Sequence, residues 1–116
     1  MENTTYVVML PYSGKPTIEP FNQENSYKQI SEAVGGMIEC AIIPRIKHSG
    51  RYGIDCFVDE EGLLKHLPLN RRLTAFCSDS YGGPLVGDAI FVAHDDEGET
   101  VGLTEADAKA ILNLFE

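Results

Sequence analysis

Asn70-Arg71-Arg72 is the tripeptide best suited to chemistry in this 116-residue chain. It follows Leu67-Pro68-Leu69 and opens an apolar pattern of helical spacing, so Asn70 is placed to cap a helix through its side-chain oxygen. Arg71 and Arg72 then stand at the positive end of the helix dipole, where cations are disfavoured. Two guanidiniums there make sense if an anion docks on them and takes backbone N–H donors together with bidentate arginine contacts. Arg45, Arg51 and Lys65 are near enough in sequence to join such a site. Tyr52 and Tyr81, in loops beside basic residues, can stack on a nucleobase, as can the loop residue Tyr12. The alternative is structural: the arginines pair with Asp59, Glu60 or Glu61, and the tyrosines cap the rim of the core.

Charge separates this segment from the rest. The formal net charge is −9, yet residues 45–72 hold six basic and four acidic side chains, a balance of +2, and the remainder carries −11. Such a chain is repelled by nucleic acid as a whole, while its basic island can hold a small anion such as a phosphate, a nucleotide or a carboxylate.

Acid–base chemistry has a thinner basis. Glu39 and Asp55 fall on the predicted outer face of a hairpin, with His48 and His66 as further titratable groups. A solvated sheet face is the better explanation of them. No nucleophile elbow, Walker loop, zinc-binding helix or calcium loop is present. No catalytic residue, metal or cofactor is therefore assigned, and the residues favour a binding protein over an enzyme. Cys40, Cys56 and Cys77 are odd in number and widely spaced, which indicates reduced thiols acting as small hydrophobes.

The elements that would position these groups follow from periodicity. Residues 6–10 read as a buried strand closed by Pro11, and residues 12–25 as a loop with Gly14, Pro16 and Pro20. A helix over 26–34 ends at Gly35-Gly36. Residues 37–43 and 53–59 form an antiparallel hairpin. Pairing Ile43 with Gly53 sets Cys40 opposite Cys56, with Ile38, Cys40, Ile42, Ile54, Cys56 and Val58 on the buried face. Asp59-Glu60-Glu61-Gly62 is a turn with Gly62 at positive φ. Residues 63–69 are a short edge strand or irregular, 71–78 a helix, 85–93 a strand, and 105–115 a final helix opened by Thr104 with Asp107. One α+β domain over residues 1–116 results, a mainly antiparallel sheet of four to five strands with about three helices on one face.

Four segments in register carry a family resemblance: Tyr27 to Gly36 followed by Ile38-Glu39, Asp59 to Gly62, Leu67 to Arg72, and Asp95 to Thr104. Together they resemble a domain-of-unknown-function family of small proteins found in phages, plasmids and bacterial mobile elements. Members tend to carry Ala at or near the position after the two arginines, where Leu73-Thr74-Ala75 stands here. The resemblance implies an accessory protein of a mobile genome and brings no catalytic residues with it.

Two functions follow as expectations. The first is a non-enzymatic binder of a small anionic, nucleotide-like ligand, for instance one sequestering a host defence signal. The second is an acidic DNA mimic or protein-binding inhibitor of a host defence nuclease. A small enzyme using Glu39 and Asp55 ranks below both. The polar Met1 to Thr5 segment carries no secretory pattern and no apolar run approaches membrane-spanning length, so the host cytoplasm is the expected location. Open edges at residues 6–10 or 63–67 would favour a homodimer.

Overall fold

The computed structural model describes residues 4–41, 53–77 and 83–116. Nine elements follow in order: β1 (Tyr6–Leu10), β2 (Thr17–Pro20), α1 (Ser26–Val34), β3 (Ile38–Ala41), β4 (Gly53–Asp59), α2 (Arg71–Cys77), β5 (Ala89–His94), β6 (Thr100–Val101) and α3 (Glu105–Phe115). The strands make one antiparallel sheet in the order β2-β1-β5-β4-β3, and β6 pairs with the end of β5. The α+β class, the mainly antiparallel sheet and the three helices agree with the sequence pattern.

β5 decides the layering. Its residues 89–93 are buried without alternation, so both of its faces must be covered. Ile90 and Val92 pack with Val7, Ile30 and Val34 beneath α1. Phe91, Ala89 and Ala93 pack with Leu73 and Cys77 of α2 and with Ala108, Ile111 and Phe115 of α3. Helices therefore cover both faces of the sheet, which corrects the one-face expectation.

The hairpin register differs from the expected one by a single residue. Cys40 pairs with Phe57 and Ala41 with Cys56. Ala41, Ile54, Cys56 and Val58 face α2 and α3, while Ile38 and Phe57 face α1. On β4 the alternation holds, with Ile54, Cys56 and Val58 on one face and Asp55 and Asp59 on the other. The shift falls on β3, whose short segment carries apolar residues at both parities, Ile38 and Ala41, so alternation there did not fix the register. Cys40 is consequently exposed and Cys56 buried. Burial and the Asp55 carboxylate raise the Cys40 thiol to about 11, and burial pushes Cys56 well up and Cys77 up. All three are free thiols. Titration of the native protein with a disulfide reagent should give one slow thiol, Cys40, and three after unfolding. Rapid reaction of two or more native thiols would contradict this placement.

Three further expectations change. Thr17–Pro20 is a strand on the sheet edge, where a terminal proline costs no ladder bond, although residues 12–25 read as loop. β1 lies between β2 and β5 and is not an edge; β2 and β3 are the edges. Gly62 is absent from the positive-φ positions; it is needed because a Cβ there would sit 2.6 Å from Val86 Cγ2. His66 takes the left-handed conformation instead, with φ 57°. Residues 63–69 are turns and irregular chain apart from one bridge between Leu69 and Val86.

The end of α1 and the start of α3 follow their sequence signals. Gly35 at φ 89° stops α1, its N–H donating to Ser31 O. Thr104 caps α3 by accepting the Asp107 N–H at 3.1 Å. No helix among the described residues is long and apolar enough to cross a membrane.

Candidate functional site

Asn70 is fully buried and makes three side-chain hydrogen bonds. Its Oδ1 accepts the Leu73 N–H at 3.2 Å, the N-cap bond expected from the sequence. Its Nδ2 donates to the carbonyls of Leu10 at 3.2 Å and Gly87 at 3.0 Å. One amide thus starts α2 and closes the end of β1 onto the 85–88 segment. Thr74 completes the clasp, donating through Oγ1 to Leu85 O at 3.0 Å and accepting the Leu85 N–H at 2.9 Å.

The two arginines have separate roles. Arg72 is half-buried and donates to three backbone carbonyls: Phe115 at 3.2 Å, Pro11 at 2.9 Å and Gly14 at 2.6 Å. Its charge lies on the last carbonyl of α3, that of Phe115, at the favourable end of that helix dipole. The guanidinium joins α2, α3 and the β1–β2 connection. Arg71 is exposed and has no partner among the described residues. Neither arginine pairs with Asp59, Glu60 or Glu61.

Lys65 belongs to a structural pair. Its Nζ lies 2.8 Å from Asp59 Oδ2 and 3.4 Å from Gly35 O, so it ties the turn after β4 to the end of α1. Burial works to raise the Asp59 carboxyl, but the Lys65 hydrogen bond, the Glu61 N–H and the Lys65 charge outweigh it and hold the carboxyl below its ordinary range. A carboxyl depressed on folding contributes stability above its unfolded pKa, about 4, and loses it as pH falls further. Urea midpoints measured from pH 6 down to 2.5 should drop below about pH 4. The drop should be smaller in Asp59→Asn, and an equal drop in both proteins would rule out this pair as its source.

Glu39 and Asp55 do not form a pair. Glu39 stands opposite Val58, so it points to the α2–α3 side, whereas Asp55 shares the side of Cys40 and Phe57. The real neighbour of Asp55 is His94, whose Nδ1 is 2.9 Å from Asp55 Oδ2, with Cys40 Sγ 3.8 Å from Oδ1. His94 was not singled out from the sequence. Strand pairing between β4 and β5 brings it there across 39 positions, and no local motif signals that contact. No group of acidic, histidine or cysteine side chains among the described residues is arranged to hold a metal ion.

Arg45, Arg51, Tyr52 and Tyr81, with His48, lie outside the described residues. The segment carrying the first three leaves β3 beyond Ala41 and returns at Gly53, which pairs with His94. Asn70 is fixed to Leu10, at the opposite end of the sheet beside Ala89.

The family model described as Domain of unknown function (DUF3846) matches residues 5–116. The chain belongs to that family. No curated protein and no solved structure matches it. Membership in DUF3846 accords with the four segments in register, and it assigns no role to any residue described above.

Proposed function

We propose that this DUF3846 protein is a non-enzymatic accessory protein of a phage or other mobile element, acting in the host cytoplasm. It binds a small anionic ligand, with a nucleotide the class that fits best, and thereby withdraws a host defence signal. Arg71 carries this reading. Lys65 and Arg72 spend their charge on the framework, while Arg71 is exposed and unpartnered among the described residues of an otherwise acidic chain. Of the other sequence candidates, Arg45, Arg51 and Tyr52 belong to the segment that leaves and re-enters the described sheet at the end opposite Asn70 and are not counted in this site, and Tyr81 lies outside the described residues. The protein acts as a two-fold dimer, the commonest closed arrangement of soluble homo-oligomers, with the sheet edges β2 and β3 as the backbone surfaces open to pairing.

Native mass spectrometry of protein purified from cells tests ligand and assembly together. The expected spectrum is a dimer retaining a nucleotide-sized mass. Arg71→Ala should weaken binding of that ligand by tenfold or more at unchanged thermal stability, since losing a charge-assisted hydrogen bond costs about 1.5–3 kcal/mol. A bare monomer, together with no calorimetric binding of common nucleotides, would overturn the proposal.

A second reading, an acidic inhibitor that binds a host defence nuclease, has its own support. Leu64 is 79 % exposed, Leu63 and Met37 are also exposed, and the acidic pair Glu60 and Glu61 adjoins them. The Glu60 N–H donates to Met37 O at 2.7 Å, which holds the two segments together. Exposed apolar side chains beside acidic ones suit a protein partner. In that case the same spectrum would show a nuclease retained in place of a nucleotide.

A further inference from the structure

The α1 side of the sheet is only half covered. α1 packs on β3, β4 and β5, while α3 packs on β1 and β2 from the opposite side. Over β1 and β2, on the α1 side, a cleft of about 420 Å³ remains, within the range of small-molecule sites. Met9 and Ala33 give it an apolar floor, and Glu19, Lys28 and Glu32 give it charged walls. Glu19 faces this way because it pairs with Val7, which packs under α1.

The cleft is preformed. Gln29 Nε2 donates to Pro20 O at 2.8 Å and its Oε1 accepts the Asn22 N–H at 2.7 Å, which fixes the corner between β2 and α1. Asn25 stands at the N-cap of α1 yet makes no side-chain capping bond, and it is one of the residues lining the cleft. An N-cap asparagine normally spends its side chain on the helix, so this one is available to a ligand. Glu19, Glu32 and Lys28 likewise have no ion pair among the described residues.

Two free carboxylates, one free ammonium and an apolar floor define a complement: two cationic groups, one carboxylate and a methylene stem. We infer that this cleft binds a free basic amino acid, its cationic groups meeting Glu19 and Glu32, its carboxylate Lys28, and its stem lying on Met9 and Ala33. The protein's net charge of −9 favours the approach of a ligand of net charge +1. This site is separate from Arg71, since α2 packs on the other face of the sheet, and either proposal can fail without the other.

Isothermal calorimetry at physiological salt provides the test, with L-arginine as the probe and agmatine, which lacks the carboxylate, as its comparison. L-arginine should bind saturably with one site per chain, and agmatine at least tenfold more weakly. Lys28→Met should weaken L-arginine at least tenfold and should not weaken agmatine, whose two cations lose a repulsive neighbour. Glu19→Gln with Glu32→Gln should abolish binding of both, at unchanged thermal stability. Glu105→Gln on α3, an exposed carboxylate far from the cleft, should change neither. Absence of saturable L-arginine binding would overturn the inference. So would equal affinity for agmatine, or equal losses from Glu105→Gln and the cleft variants.

Discussion

Asn70→Ala is expected to destabilise the fold by about 3 kcal/mol, more than an N-cap alone accounts for, since a lost cap costs about 0.5–2 kcal/mol and an unsatisfied buried polar group about 1–3 kcal/mol. Both terms apply. The substitution removes the acceptor for the Leu73 N–H and both donors to the Leu10 and Gly87 carbonyls, at a site with no solvent access. Asp in its place would preserve the cap, but its second oxygen would face two carbonyls and carry an unpaired buried charge. Asn70→Asp should therefore fall no nearer to wild type than Asn70→Ala. Urea unfolding followed by circular dichroism measures both. A loss under about 1 kcal/mol for Asn70→Ala would mean that the amide is a surface cap and that the clasp is held elsewhere.

Arg72→Ala is expected to cost about 2–3 kcal/mol, because several charge-assisted hydrogen bonds are lost together and solvent reaches only part of the site. Its guanidinium ties α2 to two other segments, the end of α3 and the β1–β2 connection at Pro11 and Gly14. The rigid fork matters as much as the charge, so Arg72→Lys should recover less than half of the loss. Arg71→Ala, one position away and exposed, should stay within about 0.5 kcal/mol of wild type. Chemical denaturation of the three variants side by side decides the matter. Equal losses from Arg71→Ala and Arg72→Ala would erase the division between a framework arginine and a free one.

The contrast between these neighbours shows what local sequence carries. Asn70 as a cap, Gly35 as a stop and Thr104 with Asp107 as a helix start were all legible, because each interaction closes within a few residues. The α+β class and most element positions were legible for the same reason: periodicity and turn chemistry are local signals. The sequence also shows a basic island within an acidic chain, and that island remains the basis of the proposed ligand class.

Whatever joins distant segments depended on the tertiary structure. The hairpin register stayed ambiguous because β3 carries apolar residues at both parities, Ile38 and Ala41, and only the packing of α1 on one face of the sheet and of α2 and α3 on the other selects the pairing. β2 was hidden between prolines because its pairing partner, β1, supplies the hydrogen bonds that its own composition does not advertise. Glu39 and Asp55 are separated by that same one-residue shift, and His94 reaches Asp55 through strand pairing alone. Arg72 is the clearest instance. By sequence it is one of a matched pair at a helix start. The fold then places three unsatisfied carbonyls around it, and a cation beside such carbonyls serves the framework. Composition and spacing determined which groups this chain possesses; long-range pairing determined which of them are already spent, because a partner dozens of residues away leaves no periodic trace in the sequence.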